Sequence, residues 1–228
     1  LRPSSLNRGC IFCWSGYTAG NFTGTPVKTG VSKVALGQHR AWSFAGGAEA
    51  ASDMNFGALA TTADLHEQPA TWAFVASAPD LTQCALACQT DANVAKGWSV
   101  GYHRGTSNFG LGVCFIRSTT NLRKTITELP TGTFVFSVSY AGGNAASGVS
   151  LYLNGRPATT YETQDGVGTS TPATAESLYL GRRRYDTALS HSGKIALAFI
   201  ANRIWSDAEH RAFAANPFRV FASKPGIF

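Results

Sequence analysis

Few residues in this chain have types and spacing that could do chemistry: five cysteines, five histidines and thirteen scattered acids. Cys10-x-x-Cys13 has the spacing of two zinc ligands, and Cys84-x-x-x-Cys88 could complete a set of four. Against that, Cys10 and Cys13 bracket Ile11 and Phe12 in a short apolar run without the usual knuckle glycines. The alternation in QCALACQT instead puts Cys84, Leu86 and Cys88 on one core-facing side of a strand, and Cys114 reads the same way. Strand positions i and i+4 lie about 13 Å apart, too far for a disulfide, and an odd count leaves one cysteine over. The expectation is five thiols and folding in a reducing compartment.

Catalytic patterns are missing. Glycoside hydrolysis needs two facing carboxylates, and the only Asp-x-Glu is Asp207-Ala208-Glu209, which opens a capped helix and suits its dipole. Asp64 and Glu67 lie in a loop-like stretch, as do Glu162 and Asp165. G-x-S-x-G is absent, and Gly46-Gly47 lacks the Lys-Ser/Thr of a phosphate loop. His39, His66, His103, His191 and His210 have no metal-ligand spacing, and His210, on the short helix, is expected at the surface. The chain is therefore expected to be no enzyme and to need no cofactor.

Binding is what remains. A sugar ring wants a flat aromatic beside polar groups, and Trp98, Tyr102 and His103 qualify, as does Tyr185. Trp98 shares a strand face with Val100 and Tyr102, which weighs toward a packed core tryptophan. Net charge is +6, and residues 117–228 carry twelve Lys/Arg against seven acids, including Arg182, Arg183 and Arg184. That excess suits an anionic surface, and the plain alternative is a solvated turn. No RNP, zinc-finger or helix-turn-helix signature supports nucleic acid.

These side chains need elements to hold them. Twenty-four Gly, one Met and many Ser and Thr favour short strands and tight turns over a helical bundle. Strands are expected at 9–14, 31–36, 40–45, 70–77, 83–90, 96–104, 110–117, 133–140, 177–184 and 193–205. The segment 133–140 alternates like a half-buried antiparallel strand. Residues 149–161 read as a hairpin turning at Asn154-Gly155, because a type I′ turn needs positive φ twice. Ser206 and Glu209 form a capping box, so one helix runs to about Ala215 before Asn216-Pro217 stops it. No run of eighteen apolar residues exists to span a membrane, and the start LRPSSLNRGC lacks signal-peptide features. The fold class expected is all-β, a two-sheet antiparallel jelly-roll sandwich with one short C-terminal helix.

The order ATWAFVAS, KGWSVGYHR, ELPTGTFVFSVSYAGGNAASGVSLYLNGRPA, SLYLGRR and HSGKIALAFIANRIWSDAEHRAFAANP resembles the laminin G-like, concanavalin A-like jelly-roll family. The likeness is clearest over 70–216 and implies one sandwich domain across 1–228 with a tail at 217–228. Lectins, adhesins, glycosidases and structural modules share that sandwich. Some relatives hold calcium at the rim; here Asp165 and Asp186 are the available acids, no motif supports the ion, and three arginines precede Asp186. The tail NPFRVFASKP is similar to the ending of laminin G-like proteins of tailed phages and prophages. That resemblance implies a non-enzymatic virion protein, a fibre, spike or decoration, folded in the bacterial host cytoplasm. Its partners would be neighbouring virion proteins, further copies of itself or an acidic host glycan. A freestanding carbohydrate-binding lectin is the alternative, and a glycosidase the third. The loop Gly181–Ser192 carries the densest polar-aromatic cluster, so Arg182, Arg183, Arg184, Tyr185, Asp186 and His191 are the expected contact residues.

Overall fold

The computed structural model describes residues 6, 8–15, 26–37, 39–47, 53–59, 62, 65, 67–77, 84–90, 97–104, 109–115, 122–126, 130–143, 145–164, 176–182 and 190–221. Among them are two eight-stranded sheets in which every pairing is antiparallel. The first sheet contains β1 (Cys10–Ser15), β3 (Val31–Leu36), β4 (His39–Gly47), β6 (Ala70–Ser77), β11 (Thr133–Tyr140), β12 (Val149–Leu153), β13 (Arg156–Pro157) and β16 (Ser190–Ala201). Its order is β13-β12-β11-β6-β16-β4-β3, and β1 pairs with the C-terminal half of β16. The second sheet contains β2 (Val27–Thr29), β5 (Asp53–Ala58), β7 (Cys84–Thr90), β8 (Gly97–Arg104), β9 (Phe109–Phe115), β10 (Leu122–Ile126), β14 (Thr160–Gln164) and β15 (Ser177–Leu180). Its order is β14-β10-β9-β8-β7-β15-β5-β2. The expected two-sheet sandwich is the one observed.

Aromatic side chains fill the space between the sheets. Trp72 lies 5.4 Å from Trp98 and 5.7 Å from Phe115, which lies 4.4 Å from Tyr140, ring centre to ring centre. All four are buried, as is Tyr102, so Trp98 and Tyr102 belong to the core and not to a sugar platform. At the open edge, Lys28 of β2 and Lys33 of β3 reach in from opposite sheets over the Trp42 ring, at 4.4 and 5.4 Å. Each stem covers apolar surface while its ammonium stays wet, and a charge at an edge strand discourages further pairing.

The outer face of the first sheet is covered as well. Helix α1 (Asp207–Ala215) and the 3₁₀ turn Pro217–Phe221 bring Trp205, Phe213 and Val220 over Ala73, Val75, Leu197 and Phe199. Strand β11 is therefore not half-buried: its polar alternates Ser137 and Ser139 lie under α1 and are 1% and 2% exposed. The expected capping box is present, with Ser206 Oγ accepting from Glu209 N and the Glu209 carboxylate accepting from Ser206 N. At the expected hairpin, Asn154 has φ 50° and Gly155 φ 77°, and Gly155 packs against α1, where a Cβ would sit 2.8 Å from that of Ala214.

Two bulges change what the alternation implied. In β7, Leu86 is the extra residue, so Leu86 and Ala87 both face the core and Cys88 turns outward. In β1, Ile11 is extra, so Ile11 and Phe12 both turn inward. Strands β2, β5, β10 and β14 were outside the expected set, β15 ends at Leu180 rather than 184, and β16 ends at Ala201 rather than 205. No described helix is long and apolar enough to cross a membrane.

Candidate binding face

Register fixes which side chains share the outer face of the second sheet. One outward row runs Arg123–Cys114–Ser99–Cys88–Tyr179–Asn55. The next outward row runs Thr125–Gly112–Gly101–Ala85, and beyond it His103 faces Gly110. The middle of the face is thus built of Ser99, Gly101, Gly110, Gly112 and Cys114, all buried, so it is covered and only its margins reach solvent. Strands approach so closely there that a Cβ at Gly112 would collide with the Lys124 carbonyl, and one at Gly110 would lie 2.7 Å from Thr125 Cβ. Longer side chains stand on either side. Arg123 and Tyr179 are four strand spacings apart, about 19 Å, and frame a floor of small residues.

The β15 side of this face is polar and tightly connected. Arg182 Nη1 donates to Asp53 Oδ2 at 3.0 Å, and its guanidinium lies 5.3 Å from the Tyr179 ring centre. Cys88 Sγ donates to the Arg182 carbonyl at 2.9 Å, and Asn55 Nδ2 donates to Tyr179 Oη at 3.3 Å. Asp53 is 4% exposed, so its charge is matched by Arg182 at close range. In the floor, Ser99 Oγ is buried and has no hydrogen-bond partner. A buried hydroxyl left unmatched costs about 1–3 kcal/mol.

The expected contact loop is only partly described. Arg183, Arg184, Tyr185 and Asp186 lie outside the described residues, as does Asp165. Arg182 is half-buried and tied to Asp53, and His191 is not at a rim: it is the second residue of β16 and fully buried, 5.9 Å edge-on to Phe44. Burial pushes the His191 imidazole down to about 4, because the charged form would lose its water. His103 is on the candidate face but buried.

His210 is buried too, against the surface expectation. Its Nδ1 lies 2.7 Å from Ser137 Oγ, its Nε2 2.9 Å from Ser139 Oγ, and its ring stacks on Tyr152 at 3.6 Å. Burial again holds it down, at about 4, despite the neighbouring charges of Asp207 and Glu209. The acid pair on α1 has structural duties. Asp207 Oδ1 accepts from Tyr152 Oη at 2.5 Å, and Glu209 pairs through both oxygens with Arg203 at 2.7 and 3.0 Å. The cysteine quartet is not brought together: Cys10 and Cys13 face outward from the first sheet, Cys88 outward from the second.

Sequence reasoning missed the floor itself, although its signal was present. KGWSVGYHR and FGLGVCF alternate large with small, and only the large series, facing the core, was weighed.

No protein-family model matches the chain, and no curated protein matches it in sequence. Solved structures do match in shape. Domain 4 of AbnA, an extracellular GH43 arabinanase from Geobacillus stearothermophilus solved with arabinotriose, aligns with TM-score 0.66 and 16% identity over 91% of this chain and 99% of that one. The fold is the same jelly-roll sandwich. The binding domain of botulinum neurotoxin DC, in complex with rat synaptotagmin II, also reaches TM-score 0.66, at 10% identity over 92% of this chain and 52% of that one. The CBM40 of a Ruminococcus gnavus sialidase, bound to α2,3-sialyllactose, aligns with TM-score 0.51 and 14% identity over 82% of this chain and 98% of that one. The structural neighbours are thus β-sandwich domains of carbohydrate-binding, arabinanase and sialidase proteins, and no phage protein is among those named.

Proposed function

We propose that this chain is a non-catalytic carbohydrate-binding module that receives a glycan at the β5–β15 margin of its second sheet. The observation that carries this reading is the partly exposed cluster of Tyr179, Asn55 and Arg182 at β15 and β5, a planar ring beside hydrogen-bonding groups. A sugar ring needs a flat aromatic group beside polar groups that fix its hydroxyls. Fold likeness supports the reading, since two of the neighbours are single modules matched over nearly their whole length and solved with oligosaccharides. The reading is non-catalytic in keeping with the contacts of Asp207 and Glu209, which among the described residues hold Tyr152 and Arg203 on the opposite sheet.

A glycan array followed by calorimetry tests it, with arabino-oligosaccharides and sialylated glycans included. The expected result is binding of at least one class, weakened by Tyr179→Ala without loss of the fold. Absence of binding across neutral and acidic glycans at millimolar concentration overturns it. The virion setting, with neighbouring virion proteins, self-association or an acidic host glycan as partners, draws support only from the similarity of 216–225 to phage proteins. Electron microscopy of particles, with and without this chain, tests that reading separately.

A further inference from the structure

The outer face of the second sheet ends in a row that crosses its last three strands, β15, β5 and β2. Tyr179 lies directly opposite Asn55, and Asn55 directly opposite Val27, so the three side chains share one face. Two strand spacings separate Tyr179 from Val27, about 10 Å. Tyr179 and Asn55 are half-buried, whereas Val27 is 68% exposed, which leaves its isopropyl group bare beside the amide.

Hydrogen bonds orient the polar pair. Gly57 N donates to Asn55 Oδ1 at 2.8 Å, which turns the amide nitrogen toward Tyr179. Asn55 Nδ2 donates to Tyr179 Oη at 3.3 Å, so the phenol keeps its own proton, and no acceptor takes it among the described residues. The second Nδ2 hydrogen is likewise unspent. The row thus offers a planar ring, two outward donors and an aliphatic surface.

Charge is withheld from it. The Arg182 guanidinium lies 5.3 Å from the Tyr179 ring centre, but its Nη1 donates to Asp53 Oδ2 at 3.0 Å. Asp53 stands two residues before Asn55 on the same face, and its side chain is 5% exposed against 15% for Arg182. The pair sums to zero charge. A carboxylated sugar arriving here would lose water beside a carboxylate whose counter-ion is already engaged. Lys28, between Val27 and Thr29, points to the other side of β2, over Trp42. A neutral sugar loses less water, and it needs donors for its hydroxyls and apolar surface for its C–H face.

We propose, building on the glycan-binding reading above, that this row selects neutral sugars and that Asp53 sets the selection by neutralising Arg182. Val27 and the Tyr179 ring take the apolar face of the sugar, while the Tyr179 phenol and the Asn55 amide bind its hydroxyls.

The test is a glycan array that sets each neutral oligosaccharide beside its carboxylated counterpart, lactose beside sialyllactose and oligogalactose beside oligogalacturonate among them, with calorimetry on the tightest. Neutral members should bind at least about tenfold tighter than their acidic counterparts. Tyr179→Phe, which keeps the ring, should weaken the tightest neutral ligand about 3–10-fold, the worth of one hydrogen bond. Val27→Ala should weaken it by about 3–10-fold through lost methyl contacts, and its exposed position leaves the fold intact. Asp53→Asn should bring acidic members level with neutral ones by releasing Arg182. Should that variant misfold, the neutral-to-acidic ratio of the unmutated chain and the effect of Val27→Ala decide. Acidic members bound as tightly as neutral ones, binding unchanged by Val27→Ala or Tyr179→Phe, or an unchanged ratio in folded Asp53→Asn overturns this inference. The module reading then still stands, provided Tyr179→Ala weakens binding. No binding to any member overturns both.

Discussion

Lowering the pH should unlatch helix α1, and the proton positions around His210 say why. Thr71 Oγ1 donates to the Arg203 carbonyl at 2.7 Å, so its single proton is used. Ser139 must then donate to Thr71 across 2.9 Å, which leaves Ser139 Oγ to accept from His210 Nε2–H. Nδ1 is thereby the acceptor, and Ser137 donates to it. A second proton on the ring would face a hydroxyl already turned toward it, in a place without water. His210 and His191 both sit at about 4, against an ordinary 6.5. A histidine held down in the folded state stabilises fully above pH 6.5, and that contribution fades as pH falls toward 4, because the unfolded chain takes up the proton first. At pH 4.5 each should cost about 2.5 kcal/mol relative to pH 7.5, or about 5 kcal/mol together. Glu209, held at about 2, adds little in this window, since its stabilisation is lost only as pH falls from 4.5 toward 2. Urea unfolding at the two pH values measures the difference, and His210→Gln should remove about half of the pH dependence. Equal stability at pH 7.5 and 4.5, or an unchanged slope in His210→Gln, would refute the reasoning.

Three further outcomes are expected. Gly155→Ala should lower stability by about 1–3 kcal/mol, since the residue needs positive φ and has no room beside Ala214; an unchanged melting temperature would contradict this. Arg203→Ala should cost about 1–2 kcal/mol at neutral pH by removing a bidentate, partly buried pair, and should move the Glu209 carboxyl up from about 2, as read by NMR titration. Replacing Arg183 and Tyr185 together by Ala should change stability by less than about 0.5 kcal/mol while weakening attachment to glycan or particle; binding equal to the parent would make the run a solvated turn.

Much of the fold was legible because most strands alternate strongly and the helix carries its own start and stop signals. Strands β5 and β10 were not, because DMNFGA has only Met54 and Phe56 inward before Gly57, and LRKTI sets a lysine at an inward position. Lys124 is the sharpest case: it points inward and is accepted there by the carbonyls of Ala146 and Val149, at 3.3 and 2.7 Å. The inward turns of Ala87 and Ile11 were also hidden, since a single extra residue reverses everything after it and leaves no compositional mark. For the candidate site, His210 looked like a surface residue because its partners, Ser137 and Ser139, lie about seventy residues upstream. Arg182 and His191 looked like loop residues because nothing local announces Asp53 or Phe44 as their neighbours.

Strand β16 joins β4, β6 and β1, and it is the last strand among the described residues. Its C-terminal residue, Ala201, pairs with Cys10. On a ribosome adding about 5–20 residues per second, β1 must therefore wait roughly 10–40 s for its partner. Through that interval Phe12 and Trp14 have no sheet to join, and β4 and β6 lack the strand that links them. The second sheet can assemble largely from neighbours in sequence, β7 to β8 to β9 to β10, and can do so while synthesis continues. Birth of this protein should thus be lopsided, with one sheet formed early and the other closing late around its final strand. Chaperone demand should fall mainly on residues 10–77.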